Sequence, residues 1–132
     1  TLTIPSTATK VITVGAYDAR FDQAAAFSGR GYTRATNQVK PDLVAPGVEI
    51  MSCAPGGGYQ VRTGTSMATP FVTGSAALLM QWGIVNGNDA YLYGEKMKAY
   101  LIRGARKLPG FTVYPNPVLG WGALCTANSI PR

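Results

Sequence analysis

Short runs of apolar and β-branched residues, separated by glycine and proline, predict several strands in the first half of the chain. Residues 10–17 form one such run, which we expect to be a buried strand. Residues 41–47 form a shorter extended segment that ends in a Pro-Gly turn. Residues 48–54 and 59–63 flank a Pro-Gly-Gly-Gly turn, and this arrangement predicts a hairpin.

The next stretch is the longest apolar segment of the chain and predicts a helix over residues 66–85. Residues 63–88 carry no charged side chain. Because proline is tolerated in the first turn of a helix but breaks a helix interior, Pro70 places Ser66 at or just before the helix start. Small residues alternate with large apolar ones here, so we expect a helix buried on all sides within an α/β domain.

A membrane span is the alternative interpretation of this segment, since the segment is long enough to cross a bilayer. Its proline and polar side chains argue against a span: Thr69, Pro70, Thr73, Ser75, Gln81 and Asn86. The nearest flanking charges are Arg62 and Asp89, whereas basic residues usually border a span. We therefore expect no membrane span.

A second helix is predicted from residue 90 or 93 to residue 106. Its apolar face carries Tyr93, Met97, Tyr100, Leu101 and Gly104. The charged residues Lys96, Lys98 and Arg103 fall elsewhere on the helix and are expected to point to solvent. Residues 123–129 predict a short final helix.

Composition excludes several classes of protein. The chain has 132 residues, of which 46% are hydrophobic and 14% charged, so disorder is not expected and one small core can form. The net charge is +6. The basic residues are scattered, apart from one cluster: Lys96, Lys98, Arg103, Arg106 and Lys107. Such a cluster on an exposed helix face usually only contacts solvent. We therefore expect no nucleic-acid partner.

The two cysteines, Cys53 and Cys125, lie far apart in the sequence. They have no metal-ligand spacing, and the chain contains no histidine to complete a metal site. A disulfide between them is one interpretation, and two buried free thiols are the favoured one. The sequence therefore predicts no metal and no cofactor, and the cysteines assign no compartment.

The candidate chemistry lies in residues 64–70, which read Gly-Thr-Ser-Met-Ala-Thr-Pro. This string places Ser66 between a glycine turn and the predicted helix. Taken alone, such a serine is most simply a helix N-cap. A serine hydroxyl becomes a useful nucleophile when it is exposed beside a base and near backbone N–H donors, which a helix N-terminus supplies.

The same string closely resembles the nucleophile motif of the subtilisin-like serine proteases. Four further segments resemble blocks of that family, in the family's order: residues 11–16, 27–31 (Phe-Ser-Gly-Arg-Gly), 40–47 (Lys-Pro-Asp-Leu-Val-Ala-Pro-Gly) and 120–122 (Gly-Trp-Gly). The resemblance implies a three-layer α/β fold with a parallel sheet. Residues 1–132 would be the C-terminal part of the catalytic domain.

Three segments of the second half, residues 84–88, 91–95 and 114–117, resemble the clostridial Csp-like branch of the family. A secreted, cell-surface or spore-associated bacterial protein would fit that resemblance. Phe71 departs from the family, which usually has a histidine at this position. That histidine is structural in the family, so its absence leaves the expected activity unchanged.

The resemblance assigns roles to two residues. Ser66 matches the catalytic nucleophile, its backbone N–H would be one oxyanion donor, and the Thr65 hydroxyl would lie near the same site. In the family, the catalytic aspartate and histidine and the asparagine that gives the second oxyanion donor lie upstream. Asp18 and Asp42 are weaker candidates for the acid, since Asp18 follows a strand end and turn capping explains Asp42.

The expected function is that of a serine endopeptidase, which hydrolyses peptide bonds through an acyl-enzyme on Ser66. Its partners would be the upstream portion of the same protein and a protein or peptide substrate. Alone, the chain is expected to be inactive for want of a histidine, and to fold poorly because its apolar helix would be exposed. The alternative is a catalytically dead subtilase-like protein that binds or regulates a partner. Calcium sites of a complete protein cannot be read from this chain.

Overall fold

The computed structural model describes residues 2–131, and its centre is a three-stranded sheet with the strand order β2-β1-β3. β1 (Val14–Asp18) pairs in parallel with β3 (Leu43–Pro46). β2 (Gln23–Ala24) is a short antiparallel addition to the other edge of β1. The strands predicted within residues 10–17 and 41–47 are thus present, and the parallel pair expected of an α/β fold is confirmed.

β1 begins four residues later than the pattern of apolar residues predicts. The N–H of Thr13 donates to the Asp42 carboxylate (2.7 Å), and the Asp42 N–H donates to the Thr13 carbonyl (2.8 Å). These bonds occupy the backbone just ahead of the strand, so the ladder with β3 starts only at Val14.

β4 (Ile50–Cys53) and β5 (Tyr59–Arg62) form a separate antiparallel hairpin, as the sequence predicts. The turn contains Gly56, Gly57 and Gly58, whose φ values of 77° to 103° suit glycine and strain other residues. Most residues of both strands are exposed, so the hairpin lies outside the apolar core.

The structure contains α1 (Thr65–Met80), α2 (Gly94–Gly104) and the short α3 (Thr126–Ser129). α1 continues into a π-helical turn over Gln81–Val85. The predicted helix of residues 66–85 is therefore confirmed, with a change of helix type in its last turn.

The boundaries of α2 and α3 differ from the prediction. α2 begins at Gly94, later than residue 90 or 93, and ends at Gly104 instead of residue 106. Residues 123–125 are extended, because Ala123 forms backbone bridges to both Val44 and Arg106. These bridges add a strand-like segment beside β3 and delay the final helix to Thr126.

The sheet lies between two apolar clusters, one on each face. Alternation along β3 sends Leu43 and Ala45 to one face and Val44 to the other. The first cluster contains residues of α1 and α2: Ala68, Val72, Leu79, Met97 and Leu101. The second contains Tyr17, Leu108, Leu119 and Ala123. The sheet is therefore the middle of three layers, between helices and an irregular C-terminal segment.

α1 is covered on one side only within residues 2–131. The buried residues recur every three or four positions: Ala68, Val72, Ser75 and Leu79. On the other side, Leu78 is 53% exposed and Phe71 42%, and Val85 in the π-helical turn that continues α1 is 76% exposed. The expectation of a helix buried on all sides is therefore wrong for this chain, because β1, β3, α2 and α3 leave the second side uncovered.

By length and composition, the helical stretch Thr65–Val85 could also cross a membrane. Its mean hydropathy is 1.2, and 28% of the apolar window is buried. A core helix of a globular domain passes the same test, so this finding alone assigns no membrane span.

Candidate active site

Ser66 lies in the first turn of α1, and its side chain is exposed. The helix begins at Thr65, so Gly64 occupies the N-cap position, and no side chain caps the helix. The interpretation of Ser66 as an N-cap is therefore wrong. The hydroxyl stands at the end of a rigid helix without a capping role.

A close approach between two glycines fixes where α1 begins. The N–H of Gly64 donates to the carbonyl of Gly47, in the turn after β3 (2.8 Å). A Cβ at Gly47 would lie 2.6 Å from the Ala16 Cβ and 2.9 Å from the Gly64 carbonyl oxygen, so no side chain fits there. The start of the helix, and with it Ser66, is held directly against the central sheet.

The start of α1 also offers backbone donors. The first N–H groups of a helix lack intrahelical acceptors. The Met67 N–H donates to the Gly64 carbonyl (3.0 Å), whereas the N–H groups of Thr65 and Ser66 have no backbone acceptor among residues 2–131. The first turn contains no acidic residue, so no side chain offsets the partial positive charge of the helix end. This arrangement suits an oxyanion, and the supporting role of the Thr65 hydroxyl stays a prediction.

The two aspartates considered as catalytic acids are engaged elsewhere. Asp18 bonds the Arg20 guanidinium through both carboxylate oxygens (3.0 and 2.7 Å) and accepts the Arg20 backbone N–H (3.0 Å). The side-chain bond to Arg20 lowers the pKa of Asp18 below its ordinary value. Asp42 is buried, and its carboxylate bonds a distant backbone N–H and two lysines, so the prediction of a local turn cap is wrong.

Lys40 and Lys98 form a buried ion cluster with Asp42. No pattern in the sequence predicts this cluster. The Asp42 carboxylate accepts a hydrogen bond from Lys40 Nζ (2.8 Å) and forms an ion pair with Lys98 Nζ (2.7 Å). Lys40 is 1% exposed, and burial lowers its pKa while the bond to Asp42 opposes that shift. Lys98, expected to point to solvent, instead reaches inward and ties α2 to the start of β3.

A cavity of about 300 Å³ lies beside the start of α1, between the hairpin and Met67. Arg62, whose position in the sequence suggests only a charge flanking the apolar segment, is among the residues that line it. Its only signal in the sequence is its position, four residues before Ser66.

Within residues 2–131, no group of three or more His, Cys, Asp or Glu side chains is placed to hold a metal ion. Cys53 and Cys125 are both free thiols; Cys53 is exposed and Cys125 is partly buried. The expectation of two buried thiols is therefore wrong. Cys53 ends a strand of the exposed hairpin, which accounts for its exposure.

Comparison with known sequences identifies a family. The chain matches the subtilase family over residues 1–122. It is 35% identical over 151 residues to the serine protease AprX of Bacillus subtilis, an alignment that covers 99% of this chain and 32% of AprX. It is 34% identical over 121 residues to the minor extracellular protease Vpr of the same species, covering 83% of this chain and 14% of Vpr.

Comparison with solved structures agrees. The CspB protease of Clostridium perfringens superposes with a TM-score of 0.90 at 48% identity, covering 96% of this chain and 27% of CspB. The prenylagaramide maturation protease PagA superposes with a TM-score of 0.75 at 27% identity, covering 96% of this chain and 43% of PagA. The chain spans less than half the length of each of these proteins. The resemblance to the Csp-like branch is confirmed, and the chain belongs to the subtilase family.

Proposed function

We propose that this chain is the C-terminal part of a subtilase catalytic domain, and that Ser66 is the nucleophile of a serine endopeptidase. The observation that carries the proposal is the exposed serine in the first turn of α1, preceded by Gly64 and fastened to the sheet. Membership of the subtilase family supports the same reaction class. The substrate would be a protein or peptide.

In the proposed reaction, the Ser66 Oγ attacks the carbonyl carbon of a peptide bond while a histidine accepts the hydroxyl proton. N–H donors at the start of α1, including that of Ser66, stabilise the oxyanion, with the Thr65 hydroxyl nearby. The tetrahedral intermediate collapses, the C–N bond breaks, and the amine leaves with the proton from the histidine. Water then hydrolyses the ester on Ser66 and restores the serine. Neither step requires a cofactor.

The base must come from outside this chain, which contains no histidine. We propose that the upstream portion of the same protein supplies the histidine, the aspartate and the second oxyanion donor. The same portion would cover the open side of α1, burying Leu78 and Val85 against protein rather than against lipid. The chain alone is then inactive, because it holds the nucleophile without its base.

Labelling of the complete protein tests the role of Ser66. A fluorophosphonate probe should react at this residue. Ser66→Ala should abolish the labelling and lower kcat/KM by about 10⁴-fold or more, as removal of a triad member does. Thr73→Ala is the matched control, since it removes another exposed hydroxyl of α1 and should leave labelling unchanged.

The outcomes separate two functions. A folded complete protein with an intact upstream aspartate and histidine that is not labelled at Ser66 would contradict the nucleophile assignment. A complete protein that lacks the upstream histidine or aspartate, and neither labels nor cleaves peptides, would favour the non-catalytic binding or regulatory protein.

A further inference from the structure

One face of the β4–β5 hairpin lies beside Met67, the residue that follows Ser66. Side chains alternate between the two faces of a strand, and directly paired residues share a face. Ile50 pairs with Arg62, and Ser52 pairs with Gln60. Because the two residues of each strand are two positions apart, all four side chains lie on the same face.

This face lines the cavity of about 300 Å³ together with Met67. Met67 follows Ser66 directly in the sequence. A peptide whose carbonyl carbon lies at the Ser66 hydroxyl therefore has a side chain near the scissile bond within reach of the cavity. The chemistry of the lining bears on which side chain is accepted there.

Four of the seven lining residues are apolar (Ile50, Cys53, Pro55 and Met67), and the lining carries a single formal charge, on Arg62. The guanidinium donates to the Gln60 side-chain oxygen (3.3 Å) and forms no ion pair with a carboxylate of residues 2–131. Glu49, just before β4, pairs with Arg20 instead. The cavity next to the serine is thus positively charged, and most of the guanidinium donors remain available.

We propose that Arg62 is a specificity-determining residue that selects substrates with an acidic side chain close to the scissile bond. This inference rests on the proposed function of Ser66. A guanidinium binds a carboxylate through two parallel N–H···O bonds, which a neutral amide side chain cannot match in charge. Because the cavity is open to solvent, the preference is a few-fold and weakens as salt screens the charges.

Peptide hydrolysis by the complete protein measures this preference. Peptides carry either Glu or Gln at each of the two positions on either side of the scissile bond. At one position, kcat/KM should be about five-fold higher for Glu than for Gln at low salt, and the ratio should shrink at high salt.

Variants assign the preference to one side chain. Arg62→Gln should bring the Glu-to-Gln ratio close to one, and Arg62→Lys should retain part of it, since lysine keeps the charge without the planar fork. Arg34→Gln is the control: it makes the same change of charge at an exposed position in the loop between β2 and β3 and should leave the ratio unchanged.

The measurements distinguish a wrong role for Arg62 from a wrong role for Ser66. If Ser66 is labelled but no position shows a preference that depends on Arg62, the inference is overturned and the proposed function stands. If Ser66 is not labelled, the same peptides are tested for binding by fluorescence anisotropy. Tighter binding of a Glu peptide that Arg62→Gln abolishes then supports the inference, and equal binding of Glu and Gln peptides overturns it.

Discussion

The two sides of α1 differ in what covers them. The side against the sheet carries both small and large buried residues, such as Ala68 and Leu79, and Ser75 Oγ lies 2.6 Å from Thr126 Oγ1. The open side carries exposed Phe71 and Leu78, the π-helical turn that follows α1 carries exposed Val85, and the whole stretch has no charge. A helix whose second side met water would carry polar and charged residues there. α1 therefore has the composition of an interior helix on both sides, although this chain packs only one.

Truncating one leucine on each side of α1 tests this comparison most directly. Leu79 is fully buried, so Leu79→Ala should lower the free energy of unfolding of the complete protein by about 2–5 kcal/mol. If the upstream portion covers the other side, Leu78→Ala should cost a similar amount. Denaturant unfolding measures both, and a cost at Leu78 below about 0.5 kcal/mol would mean that this side faces water.

Gly47→Ala would disturb the start of α1 without changing either side of the helix. The new Cβ would clash with Ala16 and the Gly64 carbonyl, so we expect a loss of about 1–3 kcal/mol in the free energy of unfolding. The rate of fluorophosphonate labelling at Ser66 should fall as well, because the helix start must shift. Unchanged labelling and stability would show that Ser66 does not depend on the Gly47–Gly64 contact.

Residues 1–132 expressed alone should reveal the open side by self-association. Exposed apolar surface of this kind drives association in water. Leu78→Glu should therefore shift the oligomer distribution towards monomer in analytical ultracentrifugation. Thr112→Glu adds the same charge at an exposed position of the C-terminal segment, away from α1, and serves as control. Dilute monomers of the unmodified chain with cooperative unfolding would contradict the need for a covering partner.

α2 packs against the buried side of α1. An ion pair between α2 and the turn before it should make a smaller, pH-dependent contribution to the free energy of unfolding. Asp89 pairs with Lys96 (2.6 Å) and accepts the Tyr100 hydroxyl (3.2 Å), and the bond to Lys96 lowers the pKa of Asp89 below its ordinary value of 3.8. The stabilisation is then complete above the unfolded-state pKa and is lost as pH falls through the folded-state pKa.

Asp89→Asn should accordingly lower the Tm of the complete protein at pH 7 and lower it less at pH 3, because there the unfolded chain, whose carboxyl has the ordinary pKa of 3.8, binds a proton and part of the stabilisation is already lost. Thermal unfolding at the two pH values measures this difference. Equal losses of Tm at both pH values would contradict an electrostatic role for Asp89.

Features that depend on neighbours in sequence were predictable. Pro70 and the charge-free stretch locate α1, and the glycines of residues 56–58 locate the hairpin. The position of Ser66 at the helix start follows from the same local signals. Its catalytic role, like that of Thr65, comes from the family resemblance and stays a prediction.

Features that depend on distant partners were not predictable. Lys98 and Asp42 are far apart in the sequence and meet only in the folded chain, so a helical pattern places Lys98 in solvent. The open side of α1 has the composition of a buried one, and periodicity does not say what covers it. Arg62 was missed as a cavity residue because a single arginine in a strand forms no motif.

The hydrogen bond between Gly64 and Gly47 bears on how activity could change during evolution. Together with the close approach of Gly47 to Ala16 and Ala68, this bond holds the start of α1, and with it the serine, against the sheet. Under the proposed division of the catalytic residues, the nucleophile stays in place whether or not a functional base lies opposite. Single substitutions elsewhere in the protein could then remove hydrolysis during evolution, and later ones restore it, while the structure around Ser66 stays unchanged.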